Sequence, residues 1–303
     1  MARLPRVLLL GNGLNQAFGA DSWQEFLERI DTRSDEDKRK KPARDLDCPA
    51  PLKAILITED KVDVVMKQHK DYFFGQVTSE RHRRMLQALL SAGFDCILTT
   101  NYSYELEIAA LNLETISENT VRKLAAHTIE VRKCEAQCML HTYNKADYEG
   151  TPNRVYHIHG EARKPNSMVL GHYYYGNLLY RIKDLIKRRQ NSYTYWHRSE
   201  AGVPQKSWVD AFVTGYIYVL GFGFDQSEMD LWWLLNRKHR EETLHGKVYF
   251  YEPRFADYDE KLELLRVLDV KHKDLGFDAA KGEIDFPSFY EAAVADIIRK
   301  LHR

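Results

Sequence analysis

The chain has 303 residues, of which 44% are hydrophobic and 29% charged, a composition typical of globular proteins and unlike that of disordered or fibrous ones. Its 44 basic and 44 acidic residues give a formal net charge of zero, so no overall field favours nucleic acid or an anionic membrane as a partner. Four cysteines are too few for a disulfide scaffold in a chain of this length, and without a Cys-x-x-Cys pair the usual zinc-ribbon spacing is absent.

The first predicted strand is the apolar run Arg6 to Leu10, which ends in the glycine turn Gly11-Asn12-Gly13. This pattern is typical of a strand that is buried on both faces and followed by a turn into a helix. The run is too short for a signal peptide or a membrane span, so we expect a cytoplasmic protein. Further on, Ser22 and Glu25 have the spacing of a capping box, which predicts the start of a helix.

The second predicted strand, residues 94 to 98, leads directly into Thr99-Thr100-Asn101-Tyr102. Before it, the charged stretch 31–47 predicts an exposed connection, and stretches 51–75 and 79–92 have helical periodicity. A helical period resumes at Tyr104. Together these elements predict a βαβ-like crossover with an enlarged helical excursion between its strands.

The third predicted strand, Arg154 to Tyr156, leads into His157-Ile158-His159-Gly160. A long helix is predicted from His172 to Gln190. The stretch 115–148 has mixed polarity and weak periodicity, and it predicts no element. The stretch 192–207 is polar and rich in aromatic residues, as expected of a connection.

The final third alternates strands with helices. A strong strand, Gly215 to Leu220, ends in Gly221-Phe222-Gly223-Phe224-Asp225. The elements predicted after it are helix 229–239, strand 247–251, helix 257–268, a strand near residue 270 and helix 287–301. The whole pattern predicts a Rossmann-like, doubly wound, mostly parallel α/β sheet with helical insertions. We expect one domain over residues 1–303, with helical inserts around 32–92 and 172–208.

An asparagine and a histidine follow two of the predicted strands. Ligands bind at the carboxyl ends of the strands in open α/β sheets, so Asn101 and His159 are expected to face one crevice. Such a pair can position and activate a hydroxyl group or a water molecule. Two other interpretations stay open, since asparagine also stabilises loops at strand ends and a lone histidine often packs without a chemical role.

Two glycine turns, Gly11-Asn12-Gly13 and Gly221-Phe222-Gly223, resemble phosphate-binding loops. Glycine lets backbone N–H groups approach a pyrophosphate, and the next helix directs its positive end at the anion. Gln16 stands where the dinucleotide fingerprint has its third glycine, so a plain tight turn is the alternative. Asp225 could cap the next helix or bind a ribose hydroxyl. Two such turns after strands of one sheet favour a nucleotide.

Four motifs occur in the order Gly11-Asn12-Gly13, Thr99-Thr100-Asn101-Tyr102, His157-Ile158-His159-Gly160 and Gly221-Phe222-Gly223-Phe224-Asp225. In this order they resemble the motifs of the bacterial sirtuin-like NAD hydrolases of anti-phage defence, which are related to the AbiH-type abortive-infection proteins. The resemblance covers the sheet-forming parts from Val7 to about Tyr251. It implies that NAD is cleaved to ADP-ribose and nicotinamide, with Asn101 and His159 as the catalytic residues. It also implies a role as the effector of an abortive-infection system.

The chain departs from the sirtuin pattern in three places. The zinc module of protein-deacylating sirtuins is absent, so deacylation is not expected. Their Gly-Ala-Gly opening is Gly11-Asn12-Gly13 here, and Ser103 replaces the aspartate that usually follows the Asn-Tyr pair in the hydrolases. The change to Ser103 puts a helix cap or a ribose contact in doubt and leaves Asn101 itself unaffected.

Hydrolysis of NAD suits these residue types. Nicotinamide leaves as a neutral molecule, so the acid that ordinary glycosidases need is dispensable. His159 is the expected general base, and Asn101 is expected to orient the attacking water and the ribose. We predict NAD as the substrate and no metal, since no cluster of metal ligands is evident. The expected dinucleotide-binding residues are Gly11, Asn12, Gly13, Asn15, Asp21, Thr99, Thr100, Gly221, Phe222, Gly223 and Asp225.

An unregulated NAD hydrolase would kill its own host, so we expect control by a regulatory or sensor protein partner or by homo-oligomer assembly. Candidate contact surfaces are the aromatic-rich stretch 173–196 and the helix that carries Trp232 and Trp233, because aromatic residues are enriched in interface cores. Core packing of the two tryptophans is the alternative. No membrane partner is expected.

Two rival functions remain. One is a non-hydrolytic module that binds NAD, ADP-ribose or a related nucleotide and switches a partner protein; it needs the glycine turns without needing both Asn101 and His159. The other is a nuclease or nucleic-acid-binding protein. The zero net charge and the lack of a carboxylate cluster suited to two metal ions argue against this second rival.

Overall fold

The computed structural model describes residues 3–75, 77, 79–121, 142–145, 153–190, 208–241, 245–255 and 259–302. In these ranges one seven-stranded sheet forms from β1 (Arg6–Leu10), β2 (Cys96–Thr99), β3 (Thr142–Lys145), β4 (Asn153–His157), β5 (Tyr216–Leu220), β6 (Val248–Tyr251) and β7 (Val270–Lys273). The strand order is β3-β4-β2-β1-β5-β6-β7. Six strands run parallel, and β3 pairs antiparallel with β4 at one edge.

Helices cover both faces of this sheet. They are α1 (Gly13–Gln16), α2 (Trp23–Arg29), α3 (Asp35–Lys40), α4 (Ala50–Ile57), α5 (Val62–Gln68), α6 (Glu80–Ser91), α7 (Glu105–Ala110), α8 (His172–Gln190), α9 (Trp208–Thr214), α10 (Met229–His239), α11 (Glu260–Val267) and α12 (Phe286–Leu301). The prediction of a Rossmann-like, doubly wound, mostly parallel α/β sheet is confirmed. None of the helices in the described ranges is both long and apolar enough to cross a bilayer.

The hydrophobic core consists of two layers, one on each face of the sheet. In β1, Leu8 and Leu10 belong to the layer that includes residues of α6 and α12. Val7 and Leu9 belong to the opposite layer, with residues of α9 and α10. Successive strand residues point to opposite faces, so a central strand must be apolar at every position. This is why β1 is a continuous hydrophobic run and could be recognised in the sequence.

Most predicted elements lie where expected. Helices α8 and α10 have their predicted bounds, and the capping box of Ser22 and Glu25 is present at the start of α2. Stretch 31–47 differs, because it contains α3 and a buried ion pair of 2.6 Å between Arg33 and Asp31. Most of stretch 115–148 and all of stretch 192–207 lie outside the described residues, and so does the part of the 172–208 insert between α8 and Trp208. Helices α3 to α6 occupy the predicted insert at 32–92.

Candidate functional site

A cleft of about 1090 Å³ opens where β1, β2, β4, β5 and β6 end. Residues after each of these strands line it, as expected for the crevice of a doubly wound sheet. The aromatic side chains of Trp23, Phe26, Tyr72, Phe286 and Tyr290 line other parts of the cleft. The volume lies slightly above the usual range for small-molecule sites in proteins, and it suits a ligand of dinucleotide size.

Most of the residues predicted from the sequence meet in this cleft. Its lining includes Asn12, Gly13, Asn15, Asp21, Thr100, Asn101, His159, Gly221, Phe222, Gly223 and Asp225. Gly11 and Thr99 are not among the lining residues, in contrast to the expectation that they bind the dinucleotide. Gly11 is buried against the second glycine turn, and the Thr99 hydroxyl accepts a hydrogen bond of 3.1 Å from the backbone N–H of Asn101. Both residues shape the turns that precede the lining residues.

Asn101 presents an unengaged amide group to the cleft. Its backbone is held on both sides, since the N–H donates to Thr99 and the carbonyl accepts a hydrogen bond of 2.9 Å from His157 Nδ1. The residue is only 8% exposed, yet its side-chain amide makes no hydrogen bond with any other described residue. A fixed backbone and a free amide are what a group needs in order to hold a water molecule or a ribose hydroxyl.

His157 is a buried structural residue that supports this turn. Its Nε2 lies 3.0 Å from Glu107 Oε1, so both ring nitrogens have partners and the side chain is completely buried. Burial alone lowers the pKa of His157, but the nearby Glu107 carboxylate outweighs that effect and raises the pKa to about 9. His157 is therefore held as a cation, with the Asn101 carbonyl as one of its hydrogen-bond acceptors.

His159 lies beyond the end of β4 and lines the cleft. The chain turns there through Gly160, whose φ of +96° and close contact with the Ser167 carbonyl require a glycine. The imidazole Nε2 lies 2.9 Å from Asp230 Oδ2, and Nδ1 lies 3.8 Å from Glu228 Oε2. Burial lowers the pKa of His159, but the two carboxylates outweigh this effect and raise the pKa to about 9.

Glu228 and Asp230 are site residues that sequence reasoning missed. Asp230 is fully buried, and Glu228 lines the cleft and accepts a hydrogen bond of 3.0 Å from the Tyr175 hydroxyl. Burial raises the pKa of Glu228 to about 7, although the neighbouring His159 opposes this. Acidic residues at a helix start are ordinary, because they interact favourably with the helix dipole. Only their position just after the second glycine turn could have drawn attention to them.

The structure also corrects the view that the chain has no cluster of possible metal ligands. Ligand atoms of His159, Glu228 and Asp230 all lie within 4.8 Å of one another. The cluster was not evident from the sequence because His159 and Asp230 are 71 residues apart. Asp230 Oδ2 and Glu228 Oε2 are already engaged with His159 and Tyr175, whereas the buried Asp230 Oδ1 has no hydrogen-bond partner among the described residues. The contacts that are present join the three residues in an acid–base network.

The two glycine turns pack against each other. Gly13 N–H donates to the Gly221 carbonyl at 2.7 Å, and a Cβ added to Gly11 would lie 2.4 Å from the same oxygen. Close backbone approach therefore explains Gly11, Gly13 and Gly221 without any ligand. A Cβ at Gly223, in contrast, would meet nothing within 4 Å. The helix after the first turn, α1, has only four residues, so the expected helix dipole is weak there.

Asp225 forms a local turn and does not cap the next helix. Its Oδ1 accepts hydrogen bonds from the backbone N–H and the hydroxyl of Ser227, at 2.8 and 2.5 Å. Helix α10 begins at Met229, with Glu228 as its N-cap residue. The cap interpretation is therefore wrong, because the turn between Asp225 and the helix is longer than a cap allows. Asp225 remains exposed in the cleft lining.

A polar network lies on the α2 side of the cleft. Asn12 donates to the Asp21 carbonyl at 2.9 Å and accepts from Asn15 at 3.2 Å. The Asp21 carboxylate accepts from Tyr72 and, at 3.0 Å, from Arg29. Among the described residues that line the cleft, Arg29 is the only lysine or arginine.

The sequence matches no protein-family model, and a search of curated proteins finds no match either.

Proposed function

We propose that the protein hydrolyses NAD to ADP-ribose and nicotinamide in this cleft. The observation that carries the proposal is the meeting of Asn101 and His159. They follow separate strands, yet both line the same cleft, together with residues of both glycine turns. The Asn101 amide has no hydrogen-bond partner among the described residues, and His159 belongs to an acid–base network with Glu228 and Asp230. These groups correspond to the two tasks of the reaction.

The first task is to orient the reactants, and the second is to move a proton. When the bond between the ribose and the pyridinium ring breaks, nicotinamide leaves with the electron pair, and an oxocarbenium-like sugar remains. Asn101 holds the attacking water or the ribose in place through its free amide. The water oxygen bonds to the anomeric carbon, and the proton that it loses enters the network of His159 and its two carboxylates.

The charge in the cleft suits a substrate with a positive centre. The lining includes the carboxyl groups of Asp21, Glu105, Asp225, Glu228 and Glu252, of which Glu105 and Glu228 have pKa values raised to about 7. The cationic side chains among the described lining residues are those of Arg29 and His159. Carboxylates near the pyridinium and the developing oxocarbenium ion lower the energy of the cationic transition state. A Cβ at Gly223 would meet no protein atom within 4 Å, so the second glycine turn leaves room there for the pyrophosphate.

In the cell, this activity would make the protein a cytoplasmic effector of abortive infection against phage, held in check by a protein partner or by self-assembly. Tyr173 and Tyr180 on α8 are 73% and 72% exposed, which supports this helix as a contact surface. The Trp232 side chain is partly buried and donates to the Asp225 carbonyl at 2.9 Å, so it favours the packing interpretation. A permanently monomeric and fully active chain in size-exclusion chromatography would contradict control by assembly.

The test of the proposed function is incubation of the purified protein with NAD, with and without an extract of phage-infected cells, followed by chromatography of the products. Wild type is expected to release nicotinamide and ADP-ribose in equal amounts. Asn101→Ala and His159→Ala should each lower kcat by about 100-fold or more. Asn166→Ala, in the turn before α8 and outside this cleft, is the matched control.

A non-hydrolytic NAD-binding module is the second candidate, and the protonation of His159 favours it. With a pKa of about 9, the imidazole is cationic at neutral pH and cannot accept a proton directly. Binding of NAD in calorimetry without any release of nicotinamide, under every activating condition, would select this module and exclude the hydrolase.

A further inference from the structure

His159 and Glu228 both line the cleft, and the Glu228 side chain is the more exposed of the two. His159 is 3% exposed, and Asp230 occupies its Nε2 atom at 2.9 Å. The other ring nitrogen, Nδ1, faces Glu228 Oε2 at 3.8 Å. The Glu228 side chain keeps 18% of its surface exposed and lines the cleft. A proton released in the cleft therefore reaches Glu228 without passing through the core.

We propose that Glu228 is a further catalytic residue of this site, the direct proton acceptor in NAD hydrolysis, with His159 and Asp230 as positioning residues behind it. The inference rests on the proposed function. As the water oxygen bonds to the anomeric carbon, its proton passes to the Glu228 carboxylate, and nicotinamide leaves with the electron pair of the broken bond. The proton then returns to solvent, so the products are ADP-ribose, nicotinamide and one proton.

The surroundings of Glu228 suit this role. His159 and Asp230 contribute opposite charges, and the Tyr175 hydroxyl donates to Oε2 at 3.0 Å. Asp225 faces Glu228 from the second glycine turn, and Tyr102 faces it from the turn after β2. Burial raises the pKa of Glu228 to about 7, while the cationic His159 limits the rise. A base whose pKa is near the working pH is well matched to proton transfer.

The pH dependence distinguishes Glu228 from His159 as the base. With Glu228 as acceptor, kcat rises as the pH passes about 7, because the carboxylate must be ionised. It falls above about 9, where His159 loses the charge that positions Glu228. With His159 itself as acceptor, kcat would rise only near pH 9. A rise in kcat centred near pH 7, the acidic limb of the profile, supports the proposal, and a profile whose only rise in kcat is near pH 9 overturns it.

Glu228→Gln is the central variant, because glutamine keeps the size of the side chain and still accepts from Tyr175. We expect kcat to fall by about 100-fold, KM to change by less than about threefold, and the acidic limb to disappear. Glu263→Gln, an exposed residue paired with Arg266, is the matched control and should behave as wild type. Unchanged kcat and an unchanged acidic limb in Glu228→Gln overturn the proposal.

Two further variants test which carboxyl group produces the acidic limb. Tyr175→Phe removes a hydrogen bond that lowers the pKa of Glu228, so the acidic limb should move to higher pH. Glu105 also lines the cleft and has a pKa of about 7, so Glu105→Gln tests whether the limb comes from that residue. If the acidic limb of the pH profile of kcat is lost in Glu105→Gln and kept in Glu228→Gln, the proposal is overturned. Activity that EDTA abolishes and Mn²⁺ restores also overturns it, since the three groups would then hold a metal.

A measurement without substrate separates the failure of this inference from that of the proposed function. NMR titration of His159, assigned by its loss in His159→Ala, should give a pKa that is lower in Glu228→Gln than in wild type, since a neighbouring negative charge is gone. An unchanged His159 pKa in Glu228→Gln would contradict the contact between His159 and Glu228. A wild type that never cleaves NAD refutes the proposed function and the role of Glu228 with it. A wild type that cleaves NAD only as fast as Glu228→Gln refutes only the role of Glu228.

Discussion

At the scale of single residues, the two histidines of one motif have different tasks. His157 ends β4 and is enclosed by Glu107 and the Asn101 carbonyl, whereas His159 lies in the following turn and reaches the cleft. Both have a pKa of about 9, because a carboxylate outweighs the effect of burial in each case. A raised pKa therefore does not by itself identify the functional histidine. Access to the cleft does.

His157→Ala is expected to lower the free energy of unfolding by about 3 kcal/mol or more, because it leaves the Glu107 carboxylate buried without its cationic partner. His239→Ala is the matched control. Its pair with Asp269, at 2.8 Å, is solvent-exposed and is expected to contribute about 1 kcal/mol or less. Urea unfolding at pH 6 measures both values, and equal losses in the two variants would contradict the structural role of His157.

Stability should also depend on pH through these residues. The folded-state pKa of His157, about 9, exceeds the unfolded value of about 6.5. Its contribution is therefore complete below pH 6.5 and is lost as the pH rises through about 9. His159 acts in the same direction. We expect the wild type to become less stable between pH 6.5 and 9.5, with a smaller decrease in His157→Ala. Urea titrations at a series of pH values measure this decrease in the free energy of unfolding. An equal decrease in the wild type and in His157→Ala would disprove the linkage.

At the scale of elements, the turns after β1 and β5 combine packing with binding. Gly11, Gly13 and Gly221 let two backbones approach closely, and Gly223 faces open space. The sequence pattern Gly-x-Gly predicts a turn in both cases. It does not distinguish a glycine that serves packing from one that serves a ligand, because that depends on what lies opposite each residue in the fold.

Alanine substitutions in these turns should separate the two roles. Gly11→Ala places a Cβ 2.4 Å from the Gly221 carbonyl, and we expect it to lower the free energy of unfolding by about 1–3 kcal/mol. Gly223→Ala has no protein neighbour within 4 Å and should fold with near wild-type stability, while its KM for NAD rises. Thermal melts and steady-state kinetics measure these effects. A destabilised Gly223→Ala with an unchanged KM would argue against a ligand at that position.

The sheet could be predicted from the sequence because β1, β2 and β5 are mostly apolar and each is followed by a recognisable turn. The α10 and α8 bounds followed from clear helical periodicity. Asn101 and His159 were found because they directly follow strands. Glu228 and Asp230 were missed because acidic residues are ordinary at the start of a helix, and because only the fold brings them to His159, since β2 and β1 lie between β4 and β5 in the sheet. Contacts of that kind are fixed by topology and not by local pattern.

At the scale of the whole molecule, strand order brings the carboxyl ends of five parallel strands to one cleft. The chain as a whole is neutral, yet the cleft lining carries more carboxylates than cations. The field inside the cleft is therefore set by the local arrangement of residues and not by net charge. That field bears on which dinucleotide the cleft accepts.

NADP should be a poor substrate, because its extra phosphate adds negative charge to a cleft already lined with carboxylates. We expect kcat/KM for NADP to be at least roughly tenfold below that for NAD, which corresponds to about 1.4 kcal/mol of unfavourable interaction. Asp225→Asn should narrow this difference, because it removes one negative charge from the lining. Parallel assays with both dinucleotides provide the measurement, and equal use of the two would contradict the electrostatic argument.

The central claim is that Asn101 and His159 together cleave NAD. The most direct test is the intracellular NAD content of phage-infected bacteria that carry the wild type, Asn101→Ala or His159→Ala, with protein levels matched by immunoblot. NAD is expected to fall sharply after infection in wild-type cells and to stay at the uninfected level in cells with either variant. A loss of NAD that persists in both variants, or its absence in wild-type cells that still abort infection, would contradict the account.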